Sequence, residues 1–496
     1  MATTNILQQP LAPNVLPNEV KVLPVGQDIV FSVENDSAVF NQTQVKFIAE
    51  VHVSGNPFVA PYGTPPNTGS SAQVIGTFKT TPNNSGAGIF NFRDILENYT
   101  SADNESAPFS SFKNTQYVWG QESGIVPPLQ LVDKFSFNTN IFRYFVIQFT
   151  VEYLGGDPTL PATAVGTAPG TAVNSDPFAV LNAYVKYSDT MTNQTNNLGI
   201  SEFGLDLSQF RLTGLTQKFL TNAPATQSAN INDYGTMAYL LTNPSSANNI
   251  NKITFIYYNS AGVQIGTEDM DRTVANGAYS NYGAYSPQQV LHFGVYPGNL
   301  QNWSSTFQAL VAANTIQGGY YTLQAKGSFP SNGSQVYTIN VKCPDLKDYE
   351  SIRLCWLNQW GVWDYYTFTK KSIRTLSNKP TTYQQTSGTW NKRGYKANSF
   401  QGGKKNFRVN TVEKIKINTD YENEDINVLF EELTNSVEVY MLEGFSTGMT
   451  INKLDGAVTP VRVVSSTFTK KTVANDKLIQ YTFDIEKSKT FRTQSV

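Results

Sequence analysis

The sequence predicts a mainly β protein, with tandem antiparallel β-sandwich units followed by a mixed, β-rich C-terminal unit that carries one short amphipathic helix. Three observations lead there. Charged residues make up 15% of the 496 residues, against about 25% in an ordinary globular chain, and Asn, Thr, Ser, Gln and Tyr stand in their place. Long exposed helices draw on Glu, Lys and Arg for propensity and ion pairing, so a chain short of them builds few such helices. Several segments alternate apolar and polar residues with a period of two, the pattern of a strand with one buried face. Apolar residues reach 40%, and a chain of this length has material for about three domains with real cores.

Residues 1–20 read as an N-terminal arm. The start, Met1-Ala2-Thr3-Thr4-Asn5-Ile6, has no basic stretch ahead of an apolar run, so no secretory signal is expected, and no apolar segment reaches the length of a membrane span. The expectation is a soluble protein made in the cytosol. The first β-sandwich unit spans 21–211. In Val45–Val53 the residues Val45, Phe47, Ala49, Val51 and Val53 share one face, which leaves Lys46, Ile48, Glu50 and His52 on the other and places His52 at the surface. Phe145, Ile147, Phe149, Val151 and Tyr153 line the core face of a second strand, with Phe178–Tyr187 as its partner. Residues 154–177 between them are rich in Gly, Pro, Ala and Thr, and read as a long flexible hairpin tip or lid. Asn91 caps a short helix whose Phe92, Ile95, Leu96 and Tyr99 share a face.

The second sandwich unit spans 212–343. Lys252–Tyr258 and Val263–Gly266 form a hairpin around Asn259-Ser260-Ala261-Gly262, where Gly262 supplies a positive φ. Strands at Val290–Val295, Gly319–Ala325 and Gln335–Val341 follow. At Cys343-Pro344-Asp345 the composition changes. Residues 1–340 hold 13 basic and 21 acidic side chains, a net of −8, while residues 341–496 hold 23 and 17, a net of +6. The whole chain, at −2, has no global field for nucleic acid or an anionic membrane, so generic DNA binding is not expected.

The C-terminal basic and aromatic unit, 344–496, is itself divided. Residues 342–416 carry 15 basic and 5 acidic side chains, and residues 417–443 carry 8 acidic and no basic ones. Lys370, Lys371, Arg374, Lys392, Arg393, Lys396, Lys404, Lys405 and Arg408 interleave with Tyr383, Trp390, Tyr395 and Phe407. That is either a cationic loop for phosphate or an anionic glycan, or a complement to the acidic segment of the same or a neighbouring subunit. Asn423 caps the amphipathic helix, with Ile426, Leu429, Phe430 and Leu433 on one face and Glu424 and Asp425 at its N-terminus. A strand at Val437–Met441 follows. The string Thr367–Lys371 recurs as Thr467–Lys471, but the flanks differ, which fits two strands of like composition better than a duplicated motif.

Chemical motifs mostly fail on their surroundings. Gly444-Phe445-Ser446-Thr447-Gly448 matches a hydrolase elbow, yet no helix follows and both histidines, His52 and His292, lie upstream of Ser446. Asp420, Glu422, Glu424 and Glu431 fall on a calcium-loop template, but Asp425 stands where the sharp turn requires Gly. Cys343 and Cys355 are expected as two buried free thiols. No catalytic residue, cofactor or metal site is expected, and the protein is not read as an enzyme.

The strongest single feature is the aromatic hairpin Tyr349–Phe368, with a tight turn at Asn358–Gly361. Four of six tryptophans lie in 356–390, as core or interface material or as a sugar-stacking platform. The Ile352–Phe368 hairpin, ending Trp363-Asp364-Tyr365-Tyr366-Thr367-Phe368, resembles a motif in virion structural proteins of tailed bacteriophages, above all tail and baseplate components. The closing segment from Pro460-Val461-Arg462-Val463 to Tyr481-Thr482-Phe483-Asp484-Ile485 is similar to the ends of such proteins, and the early segment from Ile75 to Tyr99 also resembles part of them. The resemblance implies assembly rather than chemistry: a structural component of a phage virion (tail, baseplate or neck), made in the host cytoplasm and working as a symmetric oligomer with copies of itself and other virion proteins. It carries over no catalytic or ligand residue. Opposite-sign parts could steer neighbours into register, with Trp356, Trp360, Trp363, Trp390, Lys392, Arg393, Lys404, Lys405 and Arg408 as interface candidates. The alternative is a host-recognition or carbohydrate-binding virion protein that engages a surface glycan through Trp390, Tyr395 and residues 154–177. Sequence-specific nucleic acid is not among the expected partners.

Overall fold

The structure is a computed structural model that describes residues 3–10, 21–55, 72–105, 128–137, 140–185, 191–195, 201–204, 207–212, 214–240, 250–271, 290–327, 332–343, 349–443, 457–465, 467–470, 479–489 and 491–492. Strands dominate it, in several sheets with few and short helices. One compact unit comprises Met1–Cys343 and also takes in Leu357–Asp364, the turn end of the aromatic hairpin; the other comprises Pro344–Trp356 and Tyr365–Val496.

The first unit is organised around a seven-stranded sheet in the order β2 (Lys21–Pro24), β11 (Phe178–Leu181), β8 (Phe142–Leu154), β4 (Lys46–Ser54) and β5 (Gln73–Thr80), with β9 (Val165–Thr167) and β10 (Val173–Asn174) also paired to β8. A three-stranded sheet of β1 (Asn5–Gln8), β3 (Val30–Glu34) and β6 (Ala87–Asn91) shares a core with one face of it. Phe31 and Phe90 from the small sheet each bring their rings within 6 Å of Phe149 on β8. This is a β-sandwich, with alternate residues Phe145, Ile147, Phe149 and Val151 of β8 fully buried in the core.

The other face of the large sheet is also covered. Tyr144 and Val146 of β8 and Ala179 and Leu181 of β11 join a second core with Leu240 of β15 (Thr236–Leu240) and Val290 of β18 (Val290–Gly294). Burial on both faces explains the misplacement of His52. The alternation of β4 assigned it to solvent, but it is 2% exposed, its Nε2 lies 2.9 Å from Glu50 Oε1, and burial lowers its pKa.

β15 and β18 form a three-stranded sheet with β7 (Phe135–Phe137), so one sheet joins strands from either side of the 211/212 break that the sequence suggested. The remaining large sheet of this unit runs β14 (Thr226–Ala229), β20 (Tyr337–Val341), β19 (Tyr320–Gly327), β16 (Ile250–Tyr258) and β17 (Gln264–Asp271). Phe219 ties the two sheets together, stacked on Tyr337 at 4.7 Å and edge-on to Phe293 at 5.2 Å. α3 (Pro297–Trp303) and α4 (Ser305–Ala312) lie between β18 and β19 in the chain, and α4 is capped by Ser304, whose Oγ accepts the Phe307 N–H at 2.9 Å. β12 (Met191–Thr195) and β13 (Ser201–Gly204) form a two-stranded ribbon.

Residues 154–177 are not a free tip. β9 and β10 fold back on β8, pairing Tyr153 with Gly166 and Phe149 with Val173, because β8 is long enough to leave backbone groups for them beyond its pairing with β11. The first short helices also differ in detail. α1 (Asp36–Asn41) is capped by Asn35, and α2 (Arg93–Leu96) begins after Phe92, with Asn91 accepting from the Arg93 N–H at 3.2 Å rather than occupying the cap itself.

The second unit holds an eight-stranded sheet in the order β22 (Trp363–Phe368), β21 (Ile352–Leu357), β25 (Val439–Leu442), β26 (Val458–Val463), β27 (Thr482–Lys487), β24 (Gly403–Asn418) and β23 (Ile373–Gln385), with β28 (Phe491–Arg492) also on β24. The acidic helix is α5 (Asn427–Asn435), preceded by a 3-10 turn at Glu424–Ile426, and it buries Leu429, Phe430 and Leu433. Asn423 stands at the start of that turn without a capping side-chain bond. Phe430 meets Phe483, and both Phe368 and Phe468 pack on Phe483, the first at the end of β22 and the second outside any strand. The two copies of the repeated string are therefore not equivalent edges. Cys355 is buried and Cys343, expected buried, is exposed, and the two are not bridged. Among the described residues no helix is long and apolar enough to cross a membrane.

Two hairpin turns share one design. Asn259 Oδ1 accepts from Ala261 and Val263, and Asn358 Oδ1 accepts from Trp360 and Val362, with Gly262 and Gly361 both at φ +76°. Their surroundings differ. A Cβ on Gly262 meets only the Tyr320 hydroxyl at 3.9 Å, whereas one on Gly361 would overlap the Asn182 carbonyl oxygen. Gly262→Ala is expected to cost about 1 kcal/mol, the left-handed penalty alone, and Gly361→Ala more than twice that. Equal shifts in the denaturant midpoint of the two variants would contradict the assignment.

Candidate functional site: a cationic β-arm

The aromatic hairpin is core. Trp356, Trp360 and Trp363 are 0%, 4% and 2% exposed, so three of the residues expected at an interface belong to the interior of the chain. Trp360 meets Phe210 edge-on at 4.6 Å, and Trp363 Nε1 donates to the Asp103 carbonyl oxygen at 2.8 Å. Asp364 beside it is buried and accepts from Thr221 at 2.5 Å and from Asn358 Nδ2 at 3.0 Å. Burial pushes the Asp364 carboxyl up to about 6 and that of Asp103 up to about 7.

The surviving candidates gather on the β23–β24 hairpin. β24 pairs with β27 at Lys414–Asn418 and with β28 at Asn410 and Thr411. Beyond Asn410 toward the turn, β23 and β24 pair with each other alone among the described strands, as far as Gln385 opposite Gly403. The six residues from Pro380 to Gln385 make a two-stranded arm of about 20 Å, before the loop at its tip is counted. The sequence had suggested a loop; the Thr- and Tyr-bearing stretch Thr381-Thr382-Tyr383 and the Gly402-Gly403 pair are the signals of a strand pair within it.

Register sets the faces. Lys379, Thr381, Tyr383 and Gln385 alternate onto one side, opposite Asn410, Arg408, Lys405 and Gly403. A bulge between Thr381 and Thr382 leaves Phe407 as the extra residue, with its ring edge-on to Tyr383 at 6.4 Å. The tip is tied by local bonds: Trp390 Nε1 donates to the Ser387 carbonyl at 2.7 Å, Thr389 Oγ1 to the Gly394 carbonyl at 2.8 Å, and Lys405 Nζ to the Phe400 carbonyl at 2.9 Å. Trp390, Phe400 and Tyr395 remain 73%, 72% and 61% exposed. Trp390 and Tyr395 stand edge-to-face at 5.5 Å.

The charges divide sharply along the hairpin. At its base most cations have an acid: Arg374 reaches Glu350 and Glu413, Lys487 reaches Glu413 at 3.3 Å and Glu443 at 3.1 Å, and Lys414 lies 3.8 Å from Glu486. Hydrogen bonds from Arg374 hold the Glu350 carboxyl below its usual range. Between Thr375 and Val412 there are seven Lys or Arg residues and no Asp or Glu. The side chains of Lys379, Lys392, Arg393, Lys396 and Lys404 have no hydrogen-bond or ion-pair partner among the described residues. Lys379 and Phe400 were missed as members of this surface, and Arg374 and Lys370 were counted with it although acids neutralise both, Lys370 through Asp420 at 3.1 Å.

Three of the four acids of the calcium template are employed elsewhere. Asp420 pairs with Lys370, Glu422 accepts from the Tyr366 hydroxyl at 2.6 Å, and Glu431 pairs with Lys470 at 2.7 Å. Among the described residues no three metal-ligating side chains cluster. The Ser446 motif lies outside the described residues. His292 is buried on β18 with neither ring nitrogen partnered among the described residues, and burial lowers its pKa to about 3.

No family model matches the chain, and no curated protein matches it. Solved structures give only faint likeness: trypsin-activated alpha-2-macroglobulin from Escherichia coli, at 9% identity over 84% of this chain and 26% of that one with a TM-score of 0.17, and Salmonella alpha-2-macroglobulin reacted with methylamine, at 8% identity over 97% and 23% with a TM-score of 0.17. This chain spans about a quarter of their length, and similarity at that level carries no argument about fold or function.

The two buried carboxyls make a pH prediction. Their folded pKa values lie above the unfolded value of about 3.9, so the folded state binds more protons, and the stability they contribute is present at low pH and lost as pH rises through about 6 to 7. Asp103→Asn removes one of the two titrations while keeping an acceptor for the Asn140 N–H. The fall in unfolding midpoint between pH 6 and pH 8 is expected to be smaller in this variant; an unchanged fall would refute the assignment.

Proposed function

We propose that the chain is a non-enzymatic structural component of a tailed-phage virion, in the tail, baseplate or neck, which assembles as a symmetric oligomer with copies of itself and other virion proteins. The observation that carries this reading is the contrast between a body whose aromatic hairpin is consumed by its own core and an arm whose cations and aromatic rings are left for a partner. The resemblance of the 352–368 hairpin and of the closing strands to phage tail and baseplate components supports the particle. Synthesis in the host cytoplasm and final residence in the virion follow from that assignment.

Closed symmetry is the usual outcome when one surface recurs on every copy. Sedimentation and negative-stain imaging of the purified protein are expected to give a discrete ring or symmetric oligomer well above the 54.8 kDa of one chain. A monomer at every concentration tested, absent from purified particles, would count decisively against the proposal.

A second reading is favoured by one specific feature, the exposed Trp390–Tyr395 pair at the arm tip. Aromatic faces of this kind stack on sugars, so the alternative is a host-recognition protein that binds a surface glycan. Residues 154–177, folded against β8, add nothing to it. A glycan array is expected to separate the readings: binding lost in Trp390→Ala supports recognition of a glycan, and a blank array leaves the structural role alone.

A further inference from the structure

We infer that the β23–β24 arm is a binding site for single-stranded nucleic acid, engaged without sequence preference through its phosphates and base faces. The inference rests on the part of the β23–β24 hairpin that has no third strand among the described residues, and it stands whether or not the protein belongs to a tail.

Charge is the first argument. The net charge of −2 argued against nucleic acid, but salt screens charges beyond about 10 Å at 0.1 M. A two-stranded arm of about 20 Å therefore presents chiefly its own charge rather than the total of the chain. That charge is seven cations with no carboxylate between Thr375 and Val412, and five of the seven side chains have no partner among the described residues.

Residue type is the second argument, and it separates nucleic acid from an acidic protein. Lys is depleted at the cores of protein–protein interfaces, where Arg and aromatic residues concentrate, but Lys serves as well as Arg against phosphate, where neutralisation releases condensed counterions. Five of the seven arm cations are Lys. A diffuse net of −8 spread over residues 1–340 offers no regular row of anions for them, whereas a phosphate backbone does.

The aromatic rings are the third argument, and they favour a single strand over a duplex. Trp390, Phe400, Tyr395 and Phe407 are 73%, 72%, 61% and 41% exposed and lie among the cations. Unpaired bases stack on such rings, and each stacked base contributes about 1–3 kcal/mol whatever its identity. Bases within a duplex are already stacked on one another and leave these rings without a use.

The test is fluorescence anisotropy of the full chain with a labelled thymidine 30-mer, a 30-base-pair duplex and polyglutamate, over a range of NaCl concentrations. The single strand is expected to bind tightest, with log affinity falling linearly in log salt. Replacing Lys379, Lys392, Arg393 and Lys404 together by Gln is expected to weaken binding at least tenfold at 0.1 M NaCl and to reduce the salt slope by about 3, at about 0.7 per phosphate contact. Trp390→Ala is expected to weaken single-strand binding about fivefold or more and to leave the salt slope unchanged. Circular dichroism and sedimentation matching the wild-type protein show that each variant keeps its fold and its oligomer. Affinity unchanged in the fourfold variant, polyglutamate bound as tightly as the single strand, or preference for the duplex would each overturn the inference. The oligomer measurement separates that failure from failure of the virion reading.

Discussion

Both faces of the seven-stranded sheet are buried, and most of the first unit is built to meet that constraint. β8 is the strand on which it bears hardest. Phe145, Ile147, Phe149 and Val151 fill one core while Tyr144 and Val146 fill another. Each such side chain contributes about 1.5–3 kcal/mol by leaving water, but only if a partner layer covers it. On one side the layer is the small sheet carrying Phe31 and Phe90; on the other it is β15 and β18, with Trp360 and Val362 from the turn of the aromatic hairpin. The tryptophans are therefore spent on the interior, and the same demand pulls His52 out of solvent.

The second unit meets a different constraint, that of a long antiparallel hairpin whose outer half has no third strand. A ribbon of two strands has no face that burial can stabilise, so its side chains must be compatible with water on both sides. Acids on β24 and β27 and just after β25 neutralise cations at its base, through Glu413, Glu486 and Glu443. Nothing equivalent exists past Val412. Opposite charges in this part of the chain are thus complementary within one subunit at the base and uncompensated toward the tip.

The mainly β class and the strands with one clear apolar face were legible in the sequence because period-two alternation reports burial of a single face. β4, β8, β16 and the hairpin turns at Gly262 and Gly361 fall where residue pattern and turn chemistry place them. His52 was misread for the same reason in reverse: alternation is uninformative when a second layer covers the polar face. The pairing of β9 and β10 with β8 was invisible because Gly- and Thr-rich stretches as short as Val165–Thr167 carry no periodic signal. In the candidate site the clustering of Trp390, Lys392, Arg393, Lys404 and Lys405 could be read directly, since they are near in sequence. The neutralisation of Arg374 by Glu413, 39 residues away, could not, because it depends on the register of β23 on β24.

β23 ends the sheet, and an edge strand of thirteen residues invites pairing with another chain. Two features oppose that. Lys379 places a charge on the edge, and Pro380 removes a backbone donor there, as prolines of edge strands do. On the other edge of the arm, which is open past Asn410, the bulge at Phe407 breaks the even register of β24 that an incoming strand would need. Backbone augmentation is thereby disfavoured along the part of the arm that stands free of the sheet. What the arm can offer a partner is its side chains, and these are the unpartnered lysines and exposed rings. The devices that keep the edge from aggregating are the same ones that commit the arm to recognition by charge and stacking.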